Sequence, residues 1–277
     1  MLDGLWDFDD PAGSEARFRA ALTDAPAGGT RRAELCTQLA RAVGLQGRYD
    51  EAGELLDGFE PPTSEVPIVR VRLALERGRL LNSSGEPVPA IEHFREALST
   101  AQSAGEEFLE VDAAHMLAIA DRDHSEAWTQ QALRTVAGST DPRTLRWAGS
   151  LHNNAGWSRH DTGDYAGALA EFEAALAGYL VHGTVEQVRF ARWAVARALR
   201  SLARFDEALE IQLRLSGYAP SDGYVEEELA ELFLATGRPA EAREHAAAAA
   251  DLLGADGWFA EYESGRLERL RQLARTA

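Results

Sequence analysis

Hydrophobic positions recur along this chain with a period of about forty residues. An alanine is followed four residues later by a large apolar residue at Ala52 and Leu56, Ala90 and Phe94, and Ala168 and Phe172. Weaker copies of the pattern begin at Ala127, Ala208 and Ala242. Residues four apart lie on one face of a helix. A sustained period of this length indicates stacked helical hairpins.

Each period contains two helical stretches separated by a short turn. Glycine stands in these turns at Gly47, Gly85, Gly163 and Gly237, and the corresponding turn near Ala203 lacks it. Glycine favours the end of a helix, and the aspartate or proline that follows favours the start of the next. No sustained alternation of β-branched and polar residues indicates a strand. We therefore predict an all-α fold with about fourteen helices.

The first helix of each unit has a recurrent pattern: a large residue, an apolar one three later, a small one next, and an apolar one three further on. The places are filled by Cys36, Leu39, Ala40 and Val43; His152, Ala155, Gly156 and Arg159; Arg192, Val195, Ala196 and Leu199; Glu226, Leu229, Ala230 and Phe233; and, less closely, Ala74, Arg77, Gly78 and Leu81. This pattern resembles the tetratricopeptide repeat, in a variant lengthened to about forty residues. The resemblance implies a right-handed α-α superhelix of antiparallel hairpins, a solenoid.

The resemblance also suggests how the chain is organised. We expect residues 1–277 to form a single domain, with an N-terminal segment and capping helix over 1–32, about six repeats over 33–253 and a C-terminal capping helix over 254–277. The small residues, such as Gly78 and Gly156, are expected where two helices of a hairpin approach closely. Around Ala127 the turn Asp121–His124 has no glycine, so the sequence leaves the register of that unit open.

Charge narrows the possible partners. The net charge is −17, from 28 basic and 45 acidic residues, and this charge would repel a nucleic acid. All the basic residues are arginine, which suggests a GC-rich bacterial genome and excludes Schiff-base or phosphate-loop chemistry that needs lysine. No apolar run approaches the roughly 18 residues of a membrane span. The acidic start, MLDGLWDFDD, does not resemble a signal peptide, so we expect a cytoplasmic protein without membrane contact.

The resemblance implies a binding groove lined by the first helices of the hairpins. Carried over residue by residue, it gives arginine, asparagine, tryptophan and histidine side chains as candidate contacts. They are Arg41, Arg79, Asn153, Asn154, Trp157, His160, Trp193, Arg197 and Arg200. Guanidinium, amide and aromatic groups suit an acidic peptide or a free C-terminal carboxylate. Glutamates from Glu226 to Glu231 would favour a cation at the far end.

These residues also permit a purely structural interpretation. The tryptophans could pack between neighbouring hairpins, and the arginines could pair with Glu186, Asp206 or Glu207. The two interpretations differ in their consequences. If Arg197 and Arg200 bind a partner, replacing both by alanine should weaken capture and leave the fold nearly intact; if they form structural ion pairs, the double variant should unfold.

The leading functional hypothesis is a non-catalytic module that binds a peptide or a protein segment. The alternative is a regulatory protein that senses a peptide or small ligand in the same groove, and a more distant one is a hydrolase. His152 and His160 are eight residues apart, about 12 Å along a helix, which is too far to share one metal ion. We expect no metal, no cofactor and no activated serine or cysteine near His160.

Overall fold

The computed structural model describes residues 2–26, 28–58 and 66–276. Residues 1, 27, 59–65 and 277, which fall within the predicted N-terminal segment, repeats and C-terminal helix, lie outside that description. The described residues form α-helices, short 3-10 turns and no β-strand, which confirms the all-α prediction. They group into two compact units, residues 1–147 and 148–277.

The described residues contain sixteen α-helices, against the about fourteen expected from the sequence, and fourteen of them have nine or more residues. Unit 1 contains α1 (Pro11–Asp24), α2 (Thr30–Gly44), α3 (Tyr49–Asp57), α4 (Pro67–Ser83), α5 (Pro87–Ala104), α6 (Glu107–Ala120), α7 (Ser125–Gly138) and the short α8 (Pro142–Leu145). Unit 2 begins one residue into α9 (Trp147–Asp161) and also contains α10 (Tyr165–His182), α11 (Val185–Ser201), α12 (Phe205–Ser216), α13 (Gly223–Ala235), α14 (Pro239–Gly254), the short α15 (Gly257–Tyr262) and α16 (Ser264–Thr276).

The predicted turns are present. Gly47, Gly85, Gly163 and Gly237 have positive φ angles of 72° to 90°, and Ala203 adopts the same left-handed region with a φ of 58°. A positive φ is uncommon for residues other than glycine, so the turn between α11 and α12 keeps the geometry of the other turns although it has alanine in place of glycine. Consecutive helices pack as antiparallel hairpins, including α4 with α5, α11 with α12 and α13 with α14.

The hairpin around Ala127 is closed without glycine. A 3-10 turn at Arg122–His124 joins α6 to α7. The Asp121 carboxylate accepts a hydrogen bond from Trp128 Nε1 at 3.1 Å and lies 2.8 Å from His124 Nδ1. These side-chain contacts stabilise the turn. They also fix the register of this unit, which the sequence left open.

Glycine is required where a ring from the second helix meets the first. A Cβ atom added at Gly78 would lie 2.4 Å from the Phe94 ring, and one at Gly156 would lie 2.4 Å from Phe172. Both phenylalanines are fully buried. The recurring apolar residue of the second helix therefore fills the space that the small residue of the first helix leaves, as predicted.

Apolar residues also attach the first and last long helices. Phe18 of α1 is buried against Leu35 and Leu39 of α2. Leu267 and Leu270 of α16 are buried in the cluster that includes α14. No helix among the described residues has the length and apolarity to cross a membrane.

Candidate functional site

A row of aromatic rings joins the first helices of unit 2. The ring centroids of Trp157 in α9 and Trp193 in α11 are 5.8 Å apart. Trp193 stacks with Phe190 at 5.8 Å and meets Tyr224 of α13 edge-on at 6.1 Å. Trp193 Nε1 donates a hydrogen bond of 3.1 Å to the Tyr224 carbonyl oxygen, which fixes the orientation of its indole. The structure thus brings together the two tryptophans selected from the sequence.

One side of this row borders a cavity of about 350 Å³, which we call the aromatic cavity. Its apolar walls come from α11, the end of α12, the connection after it and the start of α13: Phe190, Trp193, Leu215, Pro220, Tyr224 and Val225. The charged residues Glu186, Arg189 and Asp222 also line it. Phe190 is 45% exposed, which is high for a phenylalanine. The aromatic cavity can therefore accept an apolar group from outside.

The sequence pattern reveals only part of this cavity. Phe190 and Trp193 stand at first-helix positions and could be recognised from the repeat. Pro220 and Asp222 lie in the connection between α12 and α13, which the repeat pattern does not describe. The Asp222 carboxylate caps α13 by accepting a hydrogen bond from the Tyr224 amide at 2.9 Å, which fixes the backbone at Tyr224. The sequence signal for this cap was an aspartate immediately before an apolar helix.

Arg197 and Arg200 are engaged within the protein. Arg200 Nε donates to Glu228 Oε2 at 2.7 Å, and Arg197 donates to the other carboxylate oxygen. Glu228 is fully buried. Burial by itself would raise the pKa of Glu228, but hydrogen bonding from Arg200 and the charges of both arginines hold that pKa below its ordinary value. The partner differs from the three carboxylates considered in the sequence analysis.

The other glutamates of α13 are paired as well. Glu227 accepts a hydrogen bond of 2.8 Å from Arg266, and Glu231 accepts one of 2.7 Å from Arg269, both on α16. Glu226 lies 2.6 Å from His245 on α14. The carboxylates at the end that the sequence suggested as a cation site are therefore engaged within the protein.

His160 lies at the other end of the aromatic row. Its ring centroid is 5.5 Å from that of Trp157, and its Nε2 is 3.0 Å from Ser201 Oγ. Sequence reasoning missed this serine because it is 41 residues away. Ser201 Oγ donates a hydrogen bond of 3.1 Å to the Arg197 carbonyl oxygen, so this hydroxyl has an acceptor other than the imidazole. Burial, followed by the charge of Arg197, lowers the pKa of His160.

The two asparagines have different environments. Asn154 is exposed, whereas Asn153 is partly buried and its Oδ1 atom has no hydrogen-bond partner within the described structure. Both lie one turn or less before Trp157 along α9. Neither forms a hydrogen bond with the aromatic row.

In unit 1, Arg79 and Arg41 lie in contrasting environments. Arg79 donates to Glu76 at 2.7 Å and to Asp112 of α6 at 2.5 Å. Burial disfavours the charged form of Arg79, but the charges of Asp112 and Glu76 outweigh it and raise its pKa. Arg41 donates no hydrogen bond to any described residue; its guanidinium faces the rings of Trp6 and Phe8 at 5.4 and 5.2 Å.

No group of three or more histidine, cysteine, aspartate or glutamate residues in the described ranges is arranged to hold a metal ion. The candidate chemistry of the surface is therefore aromatic contact in unit 2 and cation–aromatic contact in unit 1.

Comparison with known proteins identifies the fold. No protein-family model matches the chain, and no curated protein matches it either. A tetratricopeptide repeat protein from Parabacteroides merdae has a TM-score of 0.51 and 13% identity, over 99% of this chain and 97% of its own. BtubC from P. vanneervenii has a TM-score of 0.55 and 17% identity, over 80% and 94%. NprR in complex with its cognate peptide NprX has a TM-score of 0.54 and 14% identity, over 98% and 81%. The chain has the tetratricopeptide-repeat fold.

Proposed function

We propose that this protein is a non-catalytic interaction module that binds a segment of a partner protein through apolar side chains inserted into the aromatic cavity. The observation that carries the proposal is the open cavity beside the Trp157–Trp193 row. Aromatic residues that border a pocket dominate the energetics of many protein interfaces. Here Phe190 remains nearly half exposed, whereas the Trp193 indole beside it is held by a hydrogen bond to the Tyr224 carbonyl oxygen.

The size of the cavity favours a peptide side chain as its occupant. Pockets for small molecules usually enclose about 300 to 1,000 Å³, and this one, at about 350 Å³, is near the lower limit. It has room for one or two apolar side chains of a longer segment. NprR, which shares this fold, was solved with a peptide, so the fold is compatible with such a ligand. A sensor of small peptides would use the same cavity.

The ion pairs argue against a carboxylate as the main anchor. Arg197 and Arg200 already bind Glu228, and Arg79 binds Glu76 and Asp112. An acidic peptide would have to displace these partners and leave buried carboxylates unpaired, which is costly. The net charge of −17 also repels an acidic segment. We therefore propose a partner segment that is neutral or basic around its apolar anchors.

Peptide selection tests this proposal. A phage-displayed library of random peptides is panned on the wild-type protein, and the enriched peptides are tested against Phe190→Ala and Leu180→Ala. Leu180 is a matched control because it is an exposed apolar residue, at the end of α10, that does not line the cavity. We expect enriched peptides with large apolar residues, lost with Phe190→Ala and retained with Leu180→Ala.

Two results would contradict the proposal. Peptides that bind Phe190→Ala as well as the wild type would place the binding surface elsewhere. Enrichment of acidic peptides whose binding is lost when Arg197 is replaced in a folded variant would restore the carboxylate hypothesis.

A further inference from the structure

Unit 1 has a second feature, independent of the aromatic cavity. The N-terminal segment (residues 2–10) lies against α2. Trp6 Nε1 donates a hydrogen bond of 3.0 Å to Gln38 Oε1. The rings of Trp6 and Phe8 stack on each other with centroids 4.8 Å apart. Gln38 and Arg41 are one turn apart on α2. Together they form a short surface, the Gln38–Arg41 surface, which contacts Trp6 and Phe8, two alternate residues of the extended segment.

Arg41 depends on this segment for its contacts. It has no ion pair and no hydrogen bond within the described residues, and its guanidinium faces both Trp6 and Phe8. Burial, followed by the nearby charge of Arg79, lowers the pKa of Arg41. A cation in such surroundings is stabilised by the faces of aromatic rings. If Trp6 and Phe8 left, Arg41 would lose both aromatic contacts, and Glu76 and Asp112 would remain the nearby negative charges.

The part of the segment that contacts Arg41 is held by hydrogen bonds and by the Trp6 ring, which meets the buried Phe18 ring edge-on at 5.0 Å. The Leu5 carbonyl accepts a hydrogen bond of 2.9 Å from Arg17, and the Asp7 amide donates one of 2.8 Å to Ser14 Oγ. Phe8 is 59% exposed, whereas Leu2 is buried in the core of unit 1. Of the two rings, Phe8 is therefore the one that can leave α2 more readily, whereas Trp6 would also have to leave Phe18.

We infer that residues 5–8, Leu-Trp-Asp-Phe, are an intramolecular ligand of the Gln38–Arg41 surface, and that a partner segment with an aromatic-x-aromatic sequence binds there by replacing them. The tethered segment competes at an effective concentration in the millimolar range, so the surface is closed to weak ligands in the wild-type protein.

The chain's own sequence provides the probe for a test. A fluorescein-labelled peptide of residues 1–12, MLDGLWDFDDPA, is titrated into full-length protein and followed by fluorescence anisotropy. Four proteins are compared: the wild type, the double variant Trp6→Ala/Phe8→Ala, the double variant with Arg41→Gln added, and the double variant with Arg31→Gln added. Arg31 is an exposed arginine of the same helix and controls for the loss of one charge. Circular dichroism checks that each protein is folded.

We expect the peptide to bind the double variant at least about tenfold more tightly than the wild type, because the competing segment no longer covers the surface. Adding Arg41→Gln should reverse this gain, and adding Arg31→Gln should not. Equal binding to wild type and double variant, or equal effects of the two arginine replacements, would overturn the inference.

A double variant that is unfolded would show that the segment is part of the core, and that outcome also overturns the inference. Phe8→Ala alone provides an additional measurement, since it removes a ring that is largely exposed. This variant should remain folded and bind the peptide more tightly than the wild type. A folded Phe8→Ala protein with no gain in binding would contradict the proposed competition.

Discussion

At the scale of single residues, Glu228 determines what two neighbouring arginines can do. The repeat pattern identifies Arg197 and Arg200 as first-helix positions, which the structure shows on α11. It cannot reveal that their partner is Glu228, 28 to 31 residues further on, since the choice among several glutamates depends on how α11 and α13 pack. The sequence analysis considered Glu186, Asp206 and Glu207; of these, Glu207 instead binds Arg204 at 2.6 Å.

The double replacement Arg197→Ala/Arg200→Ala is therefore expected to destabilise the fold. It leaves the Glu228 carboxylate buried without a charged partner, and breaking a buried ion pair from one side costs about 3 to 5 kcal/mol. Urea unfolding measures the change. The control is Arg214→Ala, which breaks an ion pair with Glu210 in which both side chains are exposed, and this change should cost at most about 1 kcal/mol.

An unchanged free energy of unfolding in the double variant would contradict the structural role of these arginines. It would favour the interpretation in which they are available to a partner.

Glu228 should also make stability depend on pH in the acidic range. Its pKa is lower in the folded protein than in the unfolded chain, where a glutamate titrates near about 4.3. Its contribution is therefore fully present above the unfolded pKa and is lost as the pH falls through the folded pKa. We expect the difference in free energy of unfolding between wild type and Glu228→Gln to shrink as the pH is lowered from 5.

This difference is measured by urea unfolding of both proteins at a series of pH values. Because other carboxylates titrate equally in both proteins, their contributions cancel. A difference that stays constant down to the acid limit of folding would show that Glu228 does not titrate in this way.

At the scale of helices, the hairpins follow from the sequence more completely than the site does. Turn glycines and the apolar residue four after each alanine identify the helices because both signals are local. The α6–α7 hairpin is an exception. Its turn has no glycine and is stabilised instead by the Asp121 carboxylate, which accepts a hydrogen bond from Trp128 and contacts His124. Asp121 contacts residues three and seven positions later in the chain. This arrangement does not repeat in the other units, so the repeat pattern could not predict it.

Gly156→Ala tests the close approach within a hairpin. The added methyl group would overlap the buried Phe172 ring, at 2.4 Å, so either the ring or α9 must move. Overpacking of this kind costs about 1 to 3 kcal/mol. Thermal unfolding followed by circular dichroism measures the loss.

Gly53→Ala in α3 is the matched control. A Cβ atom there meets no atom within 4 Å, so alanine should stabilise the helix by up to about 1 kcal/mol. If both variants changed stability equally, the packing explanation for Gly156 would be wrong.

At the scale of the whole molecule, the two units carry different surfaces on one acidic chain. Unit 1 combines the N-terminal segment with a network of paired charges around Arg79, whereas unit 2 contains the aromatic row and its cavity. The repeat pattern predicts the rings on α11. It does not predict the cavity, because Pro220, Ser221 and Asp222 come from a connection whose length and conformation vary independently of the helices.

The most direct test of the central claim is a calorimetric titration of one peptide, selected on the wild-type protein for its apolar residues, into three proteins. The proteins are wild type, Phe190→Ala and Leu180→Ala, each shown to be folded. We predict that Phe190→Ala weakens binding at least about tenfold, as expected for loss of an aromatic anchor in a pocket, while Leu180→Ala leaves the affinity unchanged. Equal affinity for all three proteins would contradict the assignment of the aromatic cavity as the binding site.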